Sequence, residues 1–140
     1  MKFRSVLILC LASSLALAAC GARSSDESQV RELIANAEKS AEARDSSDVL
    51  DLVADDYADA RGLDKPQLGN FLRAYFLSHP KLELIVKVES VEFPADGLAH
   101  AVVTVASVEL ANPDMERLAV ELRRRDGEWL VVRADRAAPR

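Results

Sequence analysis

The stretch LELIVKVESVEFPADGLAHAVVTVASVEL, residues 82–110, decides the fold. Leu82, Leu84, Val86 and Val88 alternate with Glu83, Lys87 and Glu89, and a period of two predicts a half-buried strand. The apolar parity then moves to Val91 and Phe93, which predicts a bulge near Glu89–Ser90. Asp96-Gly97 turns the chain into a long strand, Ala99–Leu110. Asn112-Pro113-Asp114 turns it again into Arg117–Arg125, where Leu118, Val120 and Leu122 share a face. Asp126-Gly127 is a two-residue hairpin signal, followed by Trp129–Ala134. Together these segments predict a four-stranded antiparallel meander.

Upstream of residue 80 the period is helical. Val30, Leu33, Ile34, Ala37 and Ala41 form one stripe on a first helix beginning at Glu27. Arg44-Asp45-Ser46-Ser47 interrupts it and offers Ser46 or Ser47 as the cap of a second helix presenting Val49, Leu50, Val53 and Tyr57. A third helix starts with Asp64 as cap, Pro66 in the first turn and Gln67 at the capping-box position, with Leu63 able to staple against Leu68. Its expected buried stripe is Leu68, Phe71, Leu72, Tyr75 and Phe76, and Pro80 stops it. Three helices followed by four strands make an α+β domain with segregated elements, the helices packed on a curved antiparallel sheet.

The N-terminus carries a different signal. Lys2 and Arg4, the apolar run Val6–Ala16 and the tetrapeptide Leu17-Ala18-Ala19-Cys20 resemble a bacterial lipoprotein signal peptide and its lipobox. The apolar run is too short for a comfortable permanent span. The resemblance implies removal of residues 1–19 and a diacylglycerol thioether on Cys20. At about 0.8 kcal/mol per buried methylene, two or more acyl chains anchor stably. Gly21 in the following position resembles outer-membrane sorting, with the domain in the periplasm. Residues 20–26 then read as the lipidated cysteine and a short polar tether, reaching at most about 20 Å when extended. Residues 27–135 form the domain and 136–140 a tail.

Removing Lys2 and Arg4 takes the net charge from −5 to −7. An acidic domain of this kind is a poor partner for nucleic acid, which needs clustered cations. Cys10 lies in the leader and Cys20 is consumed by lipid, so disulfides, cysteine nucleophiles and thiolate metal sites are not expected. His79 and His100 are the only histidines and have no ligand spacing, so no metal or other cofactor is expected.

The element order resembles the nuclear-transport-factor-2-like superfamily, which includes ketosteroid isomerase and SnoaL-type cyclases. The resemblance covers Glu27–Asp135. It rests on the long first helix, the step Ala43-Arg44-Asp45-Ser46-Ser47-Asp48-Val49-Leu50, Asp55-Asp56-Tyr57, the bulged strand and the final Asp126-Gly127-Glu128-Trp129 hairpin. It implies a cone-like, cystatin-like domain whose pocket opens between helices and sheet.

Tyr57, Phe71, Tyr75, Phe76, His100 and Trp129 are the pocket candidates, since apolar walls with few polar groups suit a small molecule. His100 is in phase with Val102, Thr104 and Ala106 and is expected at the pocket edge. The acidic row Asp48, Asp51, Asp55 and Asp59 reads as a solvated helix face, Asp135 as a frayed end, and Arg123-Arg124-Arg125 as a solvated hairpin end. The carboxylate and oxyanion-hole pattern of ketosteroid isomerase has no residue-by-residue match here.

The expected function is a non-catalytic envelope lipoprotein that binds a small apolar ligand or an envelope protein. One alternative is an isomerase or dehydratase with His100 or Asp55 as base and Tyr57 or Tyr75 as acid or oxyanion donor. Another is an inhibitor or immunity-type module. The strand Ala99–Leu110 is apolar at both parities, so the sheet's outer face is expected to form a homodimer.

Overall fold

A computed structural model describes residues 2–108 and 114–138, with side chains from residue 21 onward. Helices α1 (Lys2–Glu42), α2 (Ser46–Asp51) and α3 (Lys65–Ser78) precede strands β1 (Leu84–Ala95), β2 (Leu98–Ser107), β3 (Met115–Arg125) and β4 (Glu128–Arg136). The strands form one antiparallel sheet in the order β1-β2-β3-β4. This is the expected α+β architecture. The expected strand end at Glu109–Leu110 and the turn residues Asn112 and Pro113 lie outside the described residues.

The bulge falls where the parity shift places it, between Val88 and Ser90. It returns Val91 to the face of Val86 and Val88, so β1 keeps one apolar side despite the extra residue. That side joins Ala99, Ala101 and Val103 of β2 and Val120 and Leu122 of β3. Val30, Leu33 and Ile34 of α1 close over it, with Val30 and Leu122 fully buried. Non-polar area removed from water here is the main driving force of the fold, at about 25 cal/mol per Å².

Each sheet edge is covered in part. On β1, the Leu84 N–H donates to Glu42 Oε1 at 2.9 Å and the Val86 N–H to Glu38 Oε1 at 3.3 Å. These glutamates are one helical turn apart on α1, matching two outward amides of the strand. Along β4, the Val131 N–H donates to Leu52 O, and the Ala54 and Ala58 amides donate to Val131 O and Val132 O.

Several local expectations are corrected. Asp45, rather than Ser46 or Ser47, caps α2, accepting from Ser47 N and Asp48 N at 3.0 Å each. The helix stops at Asp51, because pairing with β4 takes over the backbone from Leu52. Val53 and Tyr57 are therefore buried in a loop rather than on a helix. The capping box of Asp64 and Gln67 is present. On α3, however, Gly69 and Phe76 are the buried residues and Phe71 is 43% exposed. A Cβ at Gly69 would lie 2.8 Å from Leu50 Cδ1, so α3 seats on α2 where it has no side chain. Residues 21–26 are helical and continuous with α1 rather than extended, and β4 reaches Arg136.

Candidate functional site

The sheet curves enough to bring its two edge strands together at the turn end. Phe93 of β1 and Trp129 of β4 lie with ring centroids 5.9 Å apart. A flat sheet would separate those strands by about 14 Å, from three spacings of roughly 4.8 Å. Trp129 is buried, Arg124 Cζ lies 5.4 Å from its ring centroid, and its Nε1 finds no acceptor among the described residues.

Tyr57 is buried on the far side of β4, where its hydroxyl donates to Asp59 Oδ2 at 3.0 Å. Asp59 Oδ1 also accepts from the Arg61 and Leu63 amides, and Oδ2 from the Arg61 guanidinium. Burial pushes the Asp59 carboxyl up, but these donors outweigh it and hold the group below its ordinary value. Burial first, then the Asp59 carboxylate, pushes the Tyr57 phenol well above its ordinary range. Asp59 is thus the buried organiser of a tight loop and no solvated helix residue. The Asp59–Arg61 amide contact spans two residues, as in an Asx-turn, and Gly62 follows at φ +79°. That spacing was the readable signal. The neighbouring Asp135 is also no frayed end, since it accepts from Ala60 N at 2.7 Å and from the Arg133 guanidinium.

The other aromatic candidates line α3. Phe71, Tyr75 and His79 form a column, with centroids 6.1 Å and 4.0 Å apart and Arg61 capping Phe71 at 4.9 Å. Phe76 meets Tyr75 edge-on at 6.3 Å. His79 is the C-cap of α3, its amide donating to Tyr75 O.

His100 is not at a pocket edge. Its register opposite Glu121 and Glu92 puts it on the outer face, exposed, with Nε2 3.5 Å from Glu121 Oε1. The physical reason is face selection: Ala99, Ala101 and Val103 give α1 an unbroken apolar surface, and the parity holding His100 and Thr104 does not. The six candidates therefore divide among the interior turn end, the loop beside β4, α3 and the outer face. Asp55, the alternative base, is exposed and pairs with Lys65 at 2.9 Å. The side chain of Cys20 lies outside the described residues.

Arg124 and Asp26 were not singled out from the sequence as a pair. Arg124 donates to Asp26 Oδ1 at 2.6 Å and to Asp96 Oδ1 at 3.0 Å, and Arg125 donates to Asp56 at 2.7 Å. The Arg125 guanidinium holds the Asp56 carboxyl below its ordinary value. Only Arg123 of the triplet is the exposed cation expected there.

The outer face holds a polar centre and an apolar end. Glu89 accepts from Thr104 at 2.6 Å and from Arg117 at 3.0 Å. Beyond them Ile85 and Met115, 60% and 71% exposed, flank Ala106 in register, with Val108 also exposed. An open groove of about 330 Å³ lies elsewhere, between α1 and α2, lined by Lys39, Ser40, Asp48, Asp51 and Leu52 among others. Among the described residues no group of three His, Cys, Asp or Glu side chains is gathered to hold a metal ion, and no helix is long and apolar enough to cross a membrane.

These elements define an α+β fold of the nuclear-transport-factor-2-like and cystatin-like kind, as solved structures show. An NTF-2 like protein of unknown function from Shewanella oneidensis MR-1 superposes with a TM-score of 0.66 at 12% identity, over 81% of this chain and 99% of that one. An NTF2-like protein of unknown function from Pseudomonas putida KT2440 gives 0.66 at 21% identity, over 83% and 88%. A domain of unknown function with a cystatin-like fold from Nostoc punctiforme gives 0.69 at 14% identity, over 82% and 78%. The sequence itself matches no protein-family model and no curated protein.

Proposed function

We propose that this chain is a non-catalytic envelope lipoprotein, anchored through diacylglycerol on Cys20 and facing the periplasm from the outer membrane. Its outer sheet face binds protein, in the first place a second copy of itself. The observation that carries the binding surface is the apolar row Ile85–Ala106–Met115, in register across three strands, with Ile85 and Met115 exposed and Ala106 half-buried between them. Exposed apolar surface of this kind on a sheet face favours association.

Three arrangements support a non-catalytic reading. The Tyr57 hydroxyl is engaged with Asp59, His100 lies on the opposite face of the sheet from Trp129, and Asp55 is paired in solvent. The concave face is packed with Val30, Leu33 and Ile34.

Sedimentation equilibrium across a dilution series tests the surface. Dimers at micromolar concentration that Met115→Glu converts to monomers support it; a monomer throughout overturns it. Intact mass tests the anchor, through a diacylglycerol increment on a chain beginning at Cys20.

A second reading, a small apolar ligand bearing one acceptor, is favoured by the Trp129 Nε1 donor beside Phe93. Native mass spectrometry of protein exported to the periplasm tests it, through a retained mass above the bare chain.

A further inference from the structure

Asp26 is six residues beyond Cys20, and the helix between them rises about 9 Å. Side chains 21–25 are exposed or nearly so, whereas the Asp26 side chain is 16% exposed and clamped by Arg124. The same guanidinium holds Asp96, and the Arg124 amide donates to Gly97 O at 2.9 Å. The β3–β4 turn, Asp126-Gly127, follows one residue after Arg124. Both hairpin turns therefore sit at the end of the sheet where α1 enters. The other end of α1 is held at the opposite end of the sheet, through Glu42 and Leu84 N. The rise of α1 from Asp26 to Glu42 separates these two points by about 24 Å.

We infer that the domain stands on the bilayer on its two β-turns, Asp96–Gly97 and Asp126–Gly127, and carries the apolar row Ile85–Ala106–Met115 at its membrane-distal end. This rests on the lipid anchor at Cys20 proposed above. The Arg124–Asp26 clamp sets the posture, because it joins the helix that leaves the anchor to the turns it enters beside. Attraction to anionic headgroups does not set it. At the turn end Asp96, Asp126 and Glu128 are exposed, and of the adjacent arginines only Arg123 is not engaged with a carboxylate. The posture therefore holds on a zwitterionic surface and withstands salt that screens exposed charges.

The test uses the full chain, exported by its own leader and reconstituted with its lipid into phosphatidylcholine vesicles containing a nickel-chelating lipid. Cys20 is consumed by the thioether, so Glu128→Cys or Met115→Cys supplies one thiol for a nitroxide label. Nickel-induced relaxation several-fold stronger at position 128 than at 115 supports the posture. Loss of that difference in Arg124→Ala, and in a folded chain carrying Ser24→Gly and Ser25→Gly, assigns it to the clamp and the helix. Equal relaxation at both positions, or stronger relaxation at 115, overturns the posture while flotation with the vesicles upholds the anchor. A protein that neither floats nor carries diacylglycerol removes the anchor and this inference with it.

Discussion

Arg124 Nη1 donates to Asp26 Oδ1 at 2.6 Å across 98 positions of sequence, while its Nη2 reaches Asp96 Oδ1 at 3.0 Å. One side chain thus fastens the first helix, the β1–β2 turn and β3. The fork geometry of guanidinium suits this double engagement, and an ammonium can reproduce only part of it. Arg124→Ala is expected to cost about 1–2 kcal/mol, discounted for partial exposure, and Arg124→Lys less. Urea unfolding followed by Trp129 fluorescence measures both; equal stability of Arg124→Ala and the parent would refute the clamp's energetic role.

Trp129 is buried, and its Nε1 has no acceptor among the described residues. Trp129→Phe removes the orphan donor as well as ring area, so its cost is expected to be well below that of Trp129→Ala. Large aromatic truncations cost about 3–5 kcal/mol, and relief of an unmade hydrogen bond returns roughly 1–3 kcal/mol. Thermal unfolding of the two variants separates these contributions.

Acid and alkali act on the same loop through different groups. The folded Asp59 pKa lies below its ordinary value of 3.8, so its contribution is present above that pH and is lost as pH falls through the folded pKa. Tyr57 has a folded pKa above its ordinary value of 10.0, so its contribution is full below pH 10 and declines as pH rises past it. Chemical unfolding from pH 5 down to pH 2 should show a shallower loss in Asp59→Asn, from a lower starting stability. Above pH 10, Tyr57→Phe should flatten the alkaline loss. Unchanged slopes in both variants would contradict this assignment.

Gly69 admits Leu50 into the contact between α2 and α3. Gly69→Leu is expected to destabilise by about 1–3 kcal/mol through overpacking. Adding Leu50→Ala should recover part of that loss, which a double-mutant cycle by urea titration would reveal. Additive losses would place the strain elsewhere.

Glu38 and Glu42 occupy the outward amides of β1. The double variant Glu38→Ala, Glu42→Ala leaves that edge open to strand pairing with other molecules. Its light scattering on warming should rise earlier than that of the parent at equal concentration. Coincident scattering curves would show that the glutamates do not protect the edge.

Local signals in the sequence carried the helices and strands far. The bulge was legible at Glu89–Ser90 because the apolar parity visibly changes there, and the α3 start because Asp64, Pro66 and Gln67 each restrict the backbone locally. The end of α2 was not legible. Val53 and Tyr57 continue an apolar helical spacing, but their neighbours Leu52, Ala54 and Ala58 pair with Val131 and Val132, far along the chain, and this ends the helix. The α3 face was legible, with Phe76 buried and Leu68, Leu72 and Tyr75 half-buried, but Phe71 is exposed and Gly69 makes the closest approach.

The candidate site was the least legible part, since it depends on which parity of β2 turns inward. Ala101 and Val102 are both apolar, and periodicity alone does not choose between them. Only packing against Val30, Leu33 and Ile34 selected Ala101 for the interior and sent His100 outward.

The sequence by itself determined the α+β order, the hairpin turns, the bulge and the α3 cap, because each follows from side chains acting within a few residues. Tertiary structure alone decided the ion pairs of Arg124, the division of the six candidates and the partial covering of both edges. Those outcomes depend on contacts between segments tens of residues apart, whose geometry exists only once the sheet has curved around α1.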